Sequence, residues 1–291
     1  MTAQALIQVL ASGLLMGLLY ALIAVGLSLI FGLMDVVNFA HGEFLMIAMY
    51  ATFGLVLMTT LDPIVVAPLV VGLLFCIGAM VYALVVRHAM RAKANVGMVQ
   101  IFSTFGLAIL IQGAAQYVFT PDYRSIKTSW LGGQTLEVAG VFLPWPQIYG
   151  GLISIAAFAA LSLISRTDFG KALEATREDQ GAVALVGIDR NRVFALGWGI
   201  GAALVGLAGT VLAIFYYIHP QVGATFGTIA YVTVALGGFG SVFGALVAGV
   251  IVGLVEAITA LLLPPSLKAV GIYGLYLAVV FFRPRGLFGR L

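Results

Sequence analysis

The chain has 291 residues, 62% of them hydrophobic and only 9% charged, with a net charge of +3 and a mean hydropathy of +1.14. Soluble domains carry roughly 25% charged residues, so a soluble globule is excluded and the chain reads as an all-α polytopic membrane protein. The apolar runs are continuous, which excludes an outer-membrane barrel built from short alternating strands. The basic balance does not point to nucleic acid, because Lys and Arg sit beside apolar runs as membrane topology requires.

Apolar stretches long enough to be candidate membrane helices lie near 6–33, 41–60, 63–86, 97–119, 147–165, 194–217, 223–239, 244–263 and 268–283. That predicts eight or nine spans in one transmembrane domain, 1–291, since a bilayer core of about 30 Å needs roughly 20 apolar residues per helix. Broken or re-entrant segments are expected near 34–43 and 223–243.

Taken in order, the first break reads MDVVNFAHGEF at 34–44. One reading is a helix start, with Asn38 as the cap and Glu43 facing the positive end of the helix dipole. The other is that His41 and Glu43 line a passage, because ionisable groups at membrane depth are costly and tend to be functional. In the fourth span Gln100 and Thr104 share a face, as do Gln112 and Gln116. Hydrogen bonding between helices is the default for such positions and a substrate-facing stripe the alternative. Residues 120–146 carry Pro121, Trp130, Gly132, Gly133 and Pro144, and form a loop whose TLEVAGVFL run allows a short hairpin.

His219-Pro220 marks the end of the sixth span. GGFGSVFG at 237–244 separates two apolar runs and suits a tight turn, or a broken helix of the kind that marks transporter sites. Glu256 falls near the middle of VIVGLVEAITALLL, where a carboxylate needs either a polar partner on another helix or a watery pathway. The lone Cys76 lies within an apolar run, so no disulfide framework exists.

The long charged segment is 166–193, RTDFGKALEATREDQGAVALVGIDRNRV, which holds five of the fourteen basic and five of the eleven acidic residues. With Arg87, Arg91 and Lys93, and with Arg283, Arg285 and Arg290, it accounts for eleven of the fourteen basic residues. Lys and Arg concentrate in cytoplasmic loops. Placing these three clusters there puts the N-terminus and the 120–146 loop outside and the C-terminus in the cytoplasm. Residues 171–187 suit an amphipathic helix, with Leu173, Ala184, Leu185 and Val186 apolar and Gly187 as its stop. Such a helix docks in a groove on a soluble subunit or lies on the bilayer.

No phosphate-binding G-x-x-x-x-G-K-[ST] occurs, and His41, His88 and His219 show no metal spacing. Neither catalytic residues nor a metal site are expected.

Three stretches carry a resemblance: GLSLIFGLMDVVNFAHGEFLMIAMY at 26–50, GKALEATREDQGAVALVGIDRNRVFALGWGIGAALVGLAG at 170–209, and ALGGFGSVFGALVAGVIVGLVE at 235–256. The chain resembles the inner-membrane permeases of ATP-binding-cassette importers for branched-chain amino acids, the LivH/LivM type, and LivH more than LivM. The resemblance implies a bacterial inner-membrane transport subunit that is not an enzyme and binds no cofactor of its own. It implies a second permease, two cytoplasmic ATPases that hydrolyse the ATP, and a periplasmic binding protein. It also implies an ATPase-coupling loop at 174–188, with Glu174, Ala175, Thr176, Arg177, Gly181, Gly187 and Ile188 as candidates and either glycine as the family's. Asn38, His41, Glu43, Gln100, Thr104 and Glu256 are candidate pathway residues. Relatives of this type also handle urea, short amides and aromatic acids. A stand-alone secondary transporter or channel is the rival class, against which the scarcity of mid-span acids weighs.

Overall fold

The computed structural model describes residues 3–92, 95–179 and 181–289, so Lys93 and Arg290 of the basic clusters lie outside the described residues. The first helix, α1 (Ala3–Met34), is 32 residues of almost unbroken apolar sequence. At 1.5 Å per residue it is about 48 Å long, more than a bilayer core. Then follow α2 (His41–Thr59) and α3 (Pro63–Val81), which runs on through a π-helical turn at Tyr82–Val86 to Arg87–Ala89. Next come α4 (Val96–Phe119), the hairpin β1 (Thr135–Val138) and β2 (Val141–Pro144), and α5 (Trp145–Ser165). The charged segment forms α6 (Asp168–Glu178) and α7 (Ala182–Leu185). The chain ends with α8 (Arg190–Phe215), α9 (Val222–Gly237), α10 (Val242–Leu262) and α11 (Lys268–Phe282). Among the described residues seven helices are long and apolar enough to cross a membrane, and α9 and α11 are shorter apolar helices, so the expected eight or nine spans resolve as seven plus two.

The bundle is organised by glycine seams. α1 and α10 run antiparallel, and Gly13 and Gly17 of one meet Val250 and Gly253 of the other. A Cβ on Gly249 would lie 2.5 Å from Ala21 Cα, and one on Gly253 would lie 2.4 Å from Gly17 Cα. Small residues let backbones approach this closely, and without water to drive association such packing is what holds membrane helices together. α8 is the central helix, with Trp198, Ala202, Val205 and Ala208 fully buried. It packs α3 through Gly206 against Leu74, and α2 through Gly209 against Ala48. Thr210 of α8 also accepts a hydrogen bond from Thr52 of α2 at 3.2 Å.

The two ends of the bundle differ. The hairpin folds over one end, where the Gln8 side chain bonds both N–H and O of Phe142. There Asp62 caps α3 by accepting from Ile64 N at 2.9 Å, and also accepts from Trp130 N at 2.6 Å. The expected hairpin within 120–146 is present, with Val138 paired to Val141. α6 lies across the other end. The C-terminal segment is there too, with Leu287 N bonded to Leu236 O. So is the end of the α3 segment, where Tyr82 donates to Asn191 at 3.2 Å.

Three local expectations are corrected. The helix expected over 171–187 breaks at Asp179, whose backbone is extended and whose carboxylate accepts from Gly181 N and Ala182 N at 2.7 and 2.9 Å. A side chain that offers the backbone this alternative competes with helix continuation. Its apolar residues do not share a face: Leu173 is buried in the bundle, whereas Leu185 and Val186 are 90% and 75% exposed. Asn38 does not cap α2; it stands two residues before the cap, Ala40, and its Oδ1 reaches only Ala40 N, at 3.0 Å. The sixth span ends at Phe215, before His219-Pro220, because the chain turns extended at Tyr216. GGFGSVFG is a tight turn, with Gly238 and Gly240 at φ +99° and +77° and Ser241 capping α10.

Candidate functional site

The break after Met34 carries the chain back into the bundle. Asp35 takes a left-handed φ of 54°, and α2 then starts beside the middle of α1. His41 Nε2 is 2.9 Å from Ile23 O, and a Cβ on Gly26 would lie 3.2 Å from the imidazole. α9 also starts at this depth. A Cβ on Gly42 would lie 2.1 Å from Gly223 O, and one on Gly227 would lie 3.2 Å from Gly42 Cα. Two helices therefore begin face to face inside the bundle. α2 leaves towards the hairpin end and α9 towards the α6 end. Their positive dipole ends converge on this junction, an arrangement that transporters use at substrate sites.

Asn38, His41, Glu43 and Thr104 meet at the junction, and Gln100 is buried one turn before Thr104 on α4. Asn38 and His41 are fully buried and Glu43 is 5% exposed. Gln100 and Thr104 of α4 are 2% and 0% exposed. Thr104 Oγ1 accepts from Phe39 N at 3.3 Å and lies 3.4 Å from Val37 O, so α4 is pinned to the break through its backbone. Tyr231 of α9, which the sequence did not single out, donates to Asn38 O at 2.9 Å. The Glu43 carboxylate lies against Gly223, where a Cβ would be 2.7 Å from Oε2. Among the described residues Asn38 Nδ2, His41 Nδ1 and Glu43 Oε2 are buried without a hydrogen-bond partner. Buried polar atoms in this condition are uncommon and call for an explanation. Gln112 and Gln116 lie outside this cluster, Gln116 exposed on α4.

Glu256 belongs to a different group, so the predicted pathway residues form two sites. Its Oε2 accepts from Tyr20 of α1 at 2.5 Å, and its Oε1 lies 2.8 Å from Lys268 Nζ at the start of α11. The polar partner expected on a neighbouring helix is thus two partners. Neither was legible, because Tyr20 is 236 residues away in sequence and Lys268 reads as a loop charge.

At the far end α6 rests on α1, α5 and α8. Thr167 caps it through Gly170 N, while Gly170, Leu173 and Thr176 face inward. A Cβ on Gly170 would lie 2.3 Å from Ile164 O, so the elbow between α5 and α6 admits only glycine without rearrangement. Glu174, Arg177, Gly181 and Gly187 are exposed, and Ala175 and Ile188 half-buried. Thr176, predicted among the contact residues, is fully buried, and its hydroxyl bonds Ala172 O at 2.6 Å. Gly187 has φ +82°, a left-handed conformation that glycine takes without steric cost, while Gly181 does not. A groove of about 680 Å³ runs beneath α6 between α1, α5 and α10. At its rim the Arg177 guanidinium lies over Gly32 and the α9–α10 turn, where a Cβ on Gly240 would be 3.3 Å from Nη2.

A family profile described as the permease component of the branched-chain amino acid transport system matches residues 9–280. The chain belongs to this permease family. The high-affinity branched-chain amino acid permease protein BraD of Pseudomonas aeruginosa is 32% identical over 98% of the chain and 96% of its own length. The LivH permease protein of Escherichia coli is 31% identical over the same shares. The LivM permease protein of that organism is 30% identical over 47% of the chain and 32% of its own length. The permease is thus a multi-pass membrane protein, similar over nearly its whole length to transport subunits.

Proposed function

We propose that this permease is the translocation subunit of an ATP-driven importer for branched-chain or related apolar amino acids in a bacterial inner membrane. α6 and the C-terminus face the cytoplasm, and the hairpin and N-terminus face outside. Gathering of the basic clusters at the α6 end supports this orientation. A second, related permease completes the pathway, a binding protein delivers substrate, and two separate ATPases grip α6 and the 179–188 turn. ATP is hydrolysed on those subunits and not on this chain. Exposed Glu174, Arg177, Leu185 and Val186 offer them a mixed charged and apolar surface.

The observation that carries this reading is Arg177 over the α9–α10 turn. Displacement of α6 has a short path to the C-terminal end of α9, whose N-terminal end is at the junction with α2. The ATPases can bias the bundle only by binding its two states unequally. The partnerless atoms of Asn38, His41 and Glu43 support a junction that changes partners between those states. The test is reconstitution with the cognate ATPases and binding protein. Uptake of leucine, isoleucine or valine is expected to require ATP, and to be lost with Glu174→Pro or Gly187→Val while membrane insertion and assembly persist. Uptake by this chain alone, driven by an ion gradient, would refute the reading.

A further inference from the structure

A second cavity, of about 210 Å³, opens beside Glu256 between α1, α9, α10 and α11. At roughly 30 Å³ per water it has room for about seven waters. That is the scale of one branched-chain amino acid, below the roughly 300–1,000 Å³ of drug-sized sites. Its walls are aromatic, from Tyr20, Tyr216, Phe226 and Tyr273, and exposed Thr225 and Thr228 stand at its edge. Glu256 is only 9% exposed, and Lys268 Nζ lies 2.8 Å from it on a side chain that remains half-exposed. A fixed carboxylate and a movable ammonium therefore face one apolar chamber.

A pair that merely pinned α10 to α11 would need no chamber of this size beside it. An amino acid presents the complementary set: an ammonium, a carboxylate one carbon away, and an apolar side chain. Buried charges are tolerated when paired and hydrogen-bonded. Insertion of the zwitterion exchanges one ion pair for two, with Tyr20 still donating to Glu256. We infer that this cavity is a binding site for zwitterionic apolar amino acids, in which Glu256 holds the α-ammonium, Lys268 the α-carboxylate and the aromatic walls the side chain. The inference rests on the amino-acid importer reading and adds to it a place where the permease itself reads the substrate.

The test uses the assembled importer with Cys76→Ser and Thr228→Cys, and follows the rate of thiol labelling at position 228. Leucine is expected to slow labelling. Its analogues 4-methylpentanoic acid, without the ammonium, and 3-methylbutylamine, without the carboxylate, are not. Adding Glu256→Gln or Lys268→Met should raise the leucine concentration needed by on the order of 10–100-fold, as for loss of a charged hydrogen bond. Lys268→Arg should largely restore protection, which a purely structural role for the pair would not require. Should leucine leave labelling unchanged in a complex that imports it, the inference fails and the importer reading stands. Equal protection by either analogue overturns the zwitterion reading. A complex that imports no branched-chain amino acid overturns both.

Discussion

Replacing Gly42 by alanine tests the junction of α2 and α9 directly. The added Cβ would lie 2.1 Å from Gly223 O, 2.9 Å from Gly223 C and 2.9 Å from Gly227 Cα. All three are backbone atoms, so no side chain can rotate away. The helices would have to part by about 1.3 Å to restore ordinary contact, in an interior packed as tightly as an organic crystal. Overpacking of this kind costs about 1–3 kcal/mol. At about 2–4 °C per kcal/mol for domains approaching this size, the melting midpoint falls by several degrees. Gly106→Ala in α4 is the control, because its Cβ would meet nothing within 4 Å. It should be neutral or stabilise by up to about 1 kcal/mol through helix propensity. Thermal unfolding of the two purified variants in detergent, beside leucine uptake by the assembled importer, measures the difference. Equal midpoints with full uptake by Gly42→Ala would refute the reasoning, since the contact would then carry no constraint.

Asp62→Ala removes the α3 cap and the bond to Trp130 N. It should cost about 0.5–2 kcal/mol as a lost cap and speed protease cleavage within 120–134. Thr52→Val and Thr210→Val in a double-mutant cycle should show a coupling near 0.6 kcal/mol, the average for bonds between membrane helices; no coupling would mean that their 3.2 Å contact is incidental. The backbone N–H groups of Ala182 and Gly181 hold the Asp179 carboxyl below the usual carboxylate range. A lowered folded pKa stabilises the break above about pH 4, the unfolded value, and the stabilisation is lost as pH falls through the lower folded one. Protection of the Gly181 and Ala182 amides, taken as exchange relative to the intrinsic rate at each pH, should therefore be highest at neutral pH and fall on acidification, and Asp179→Ala should abolish that dependence. Gly170→Leu should separate ATP hydrolysis from uptake, because its side chain would meet Ile164 O and force α6 off its elbow.

Hydropathy by itself determined the class of this protein. A chain so poor in charge has no way to fold except as helices buried in lipid, and every apolar run became a helix. It also located the α6 segment, because a dense run of charge in such a chain survives only where water reaches it. Periodicity went as far as pairing Gln100 with Thr104. What the tertiary structure decided is which polar residues meet. Asn38, His41 and Glu43 are local to one break, but their neighbours Gly223 and Tyr231 come from a helix roughly 180 residues away, brought there by close glycine contact. Glu256 looked like part of the same pathway, but the antiparallel seam of α1 and α10 carries it to Tyr20, and the packing of α11 on α10 brings Lys268 to it. The break at Asp179 was likewise hidden, since helical composition continues through it and one carboxylate bonding two N–H groups stops it. Sequence fixes where polar groups must find partners in a membrane; packing of small residues over long sequence distances decides which partners they find.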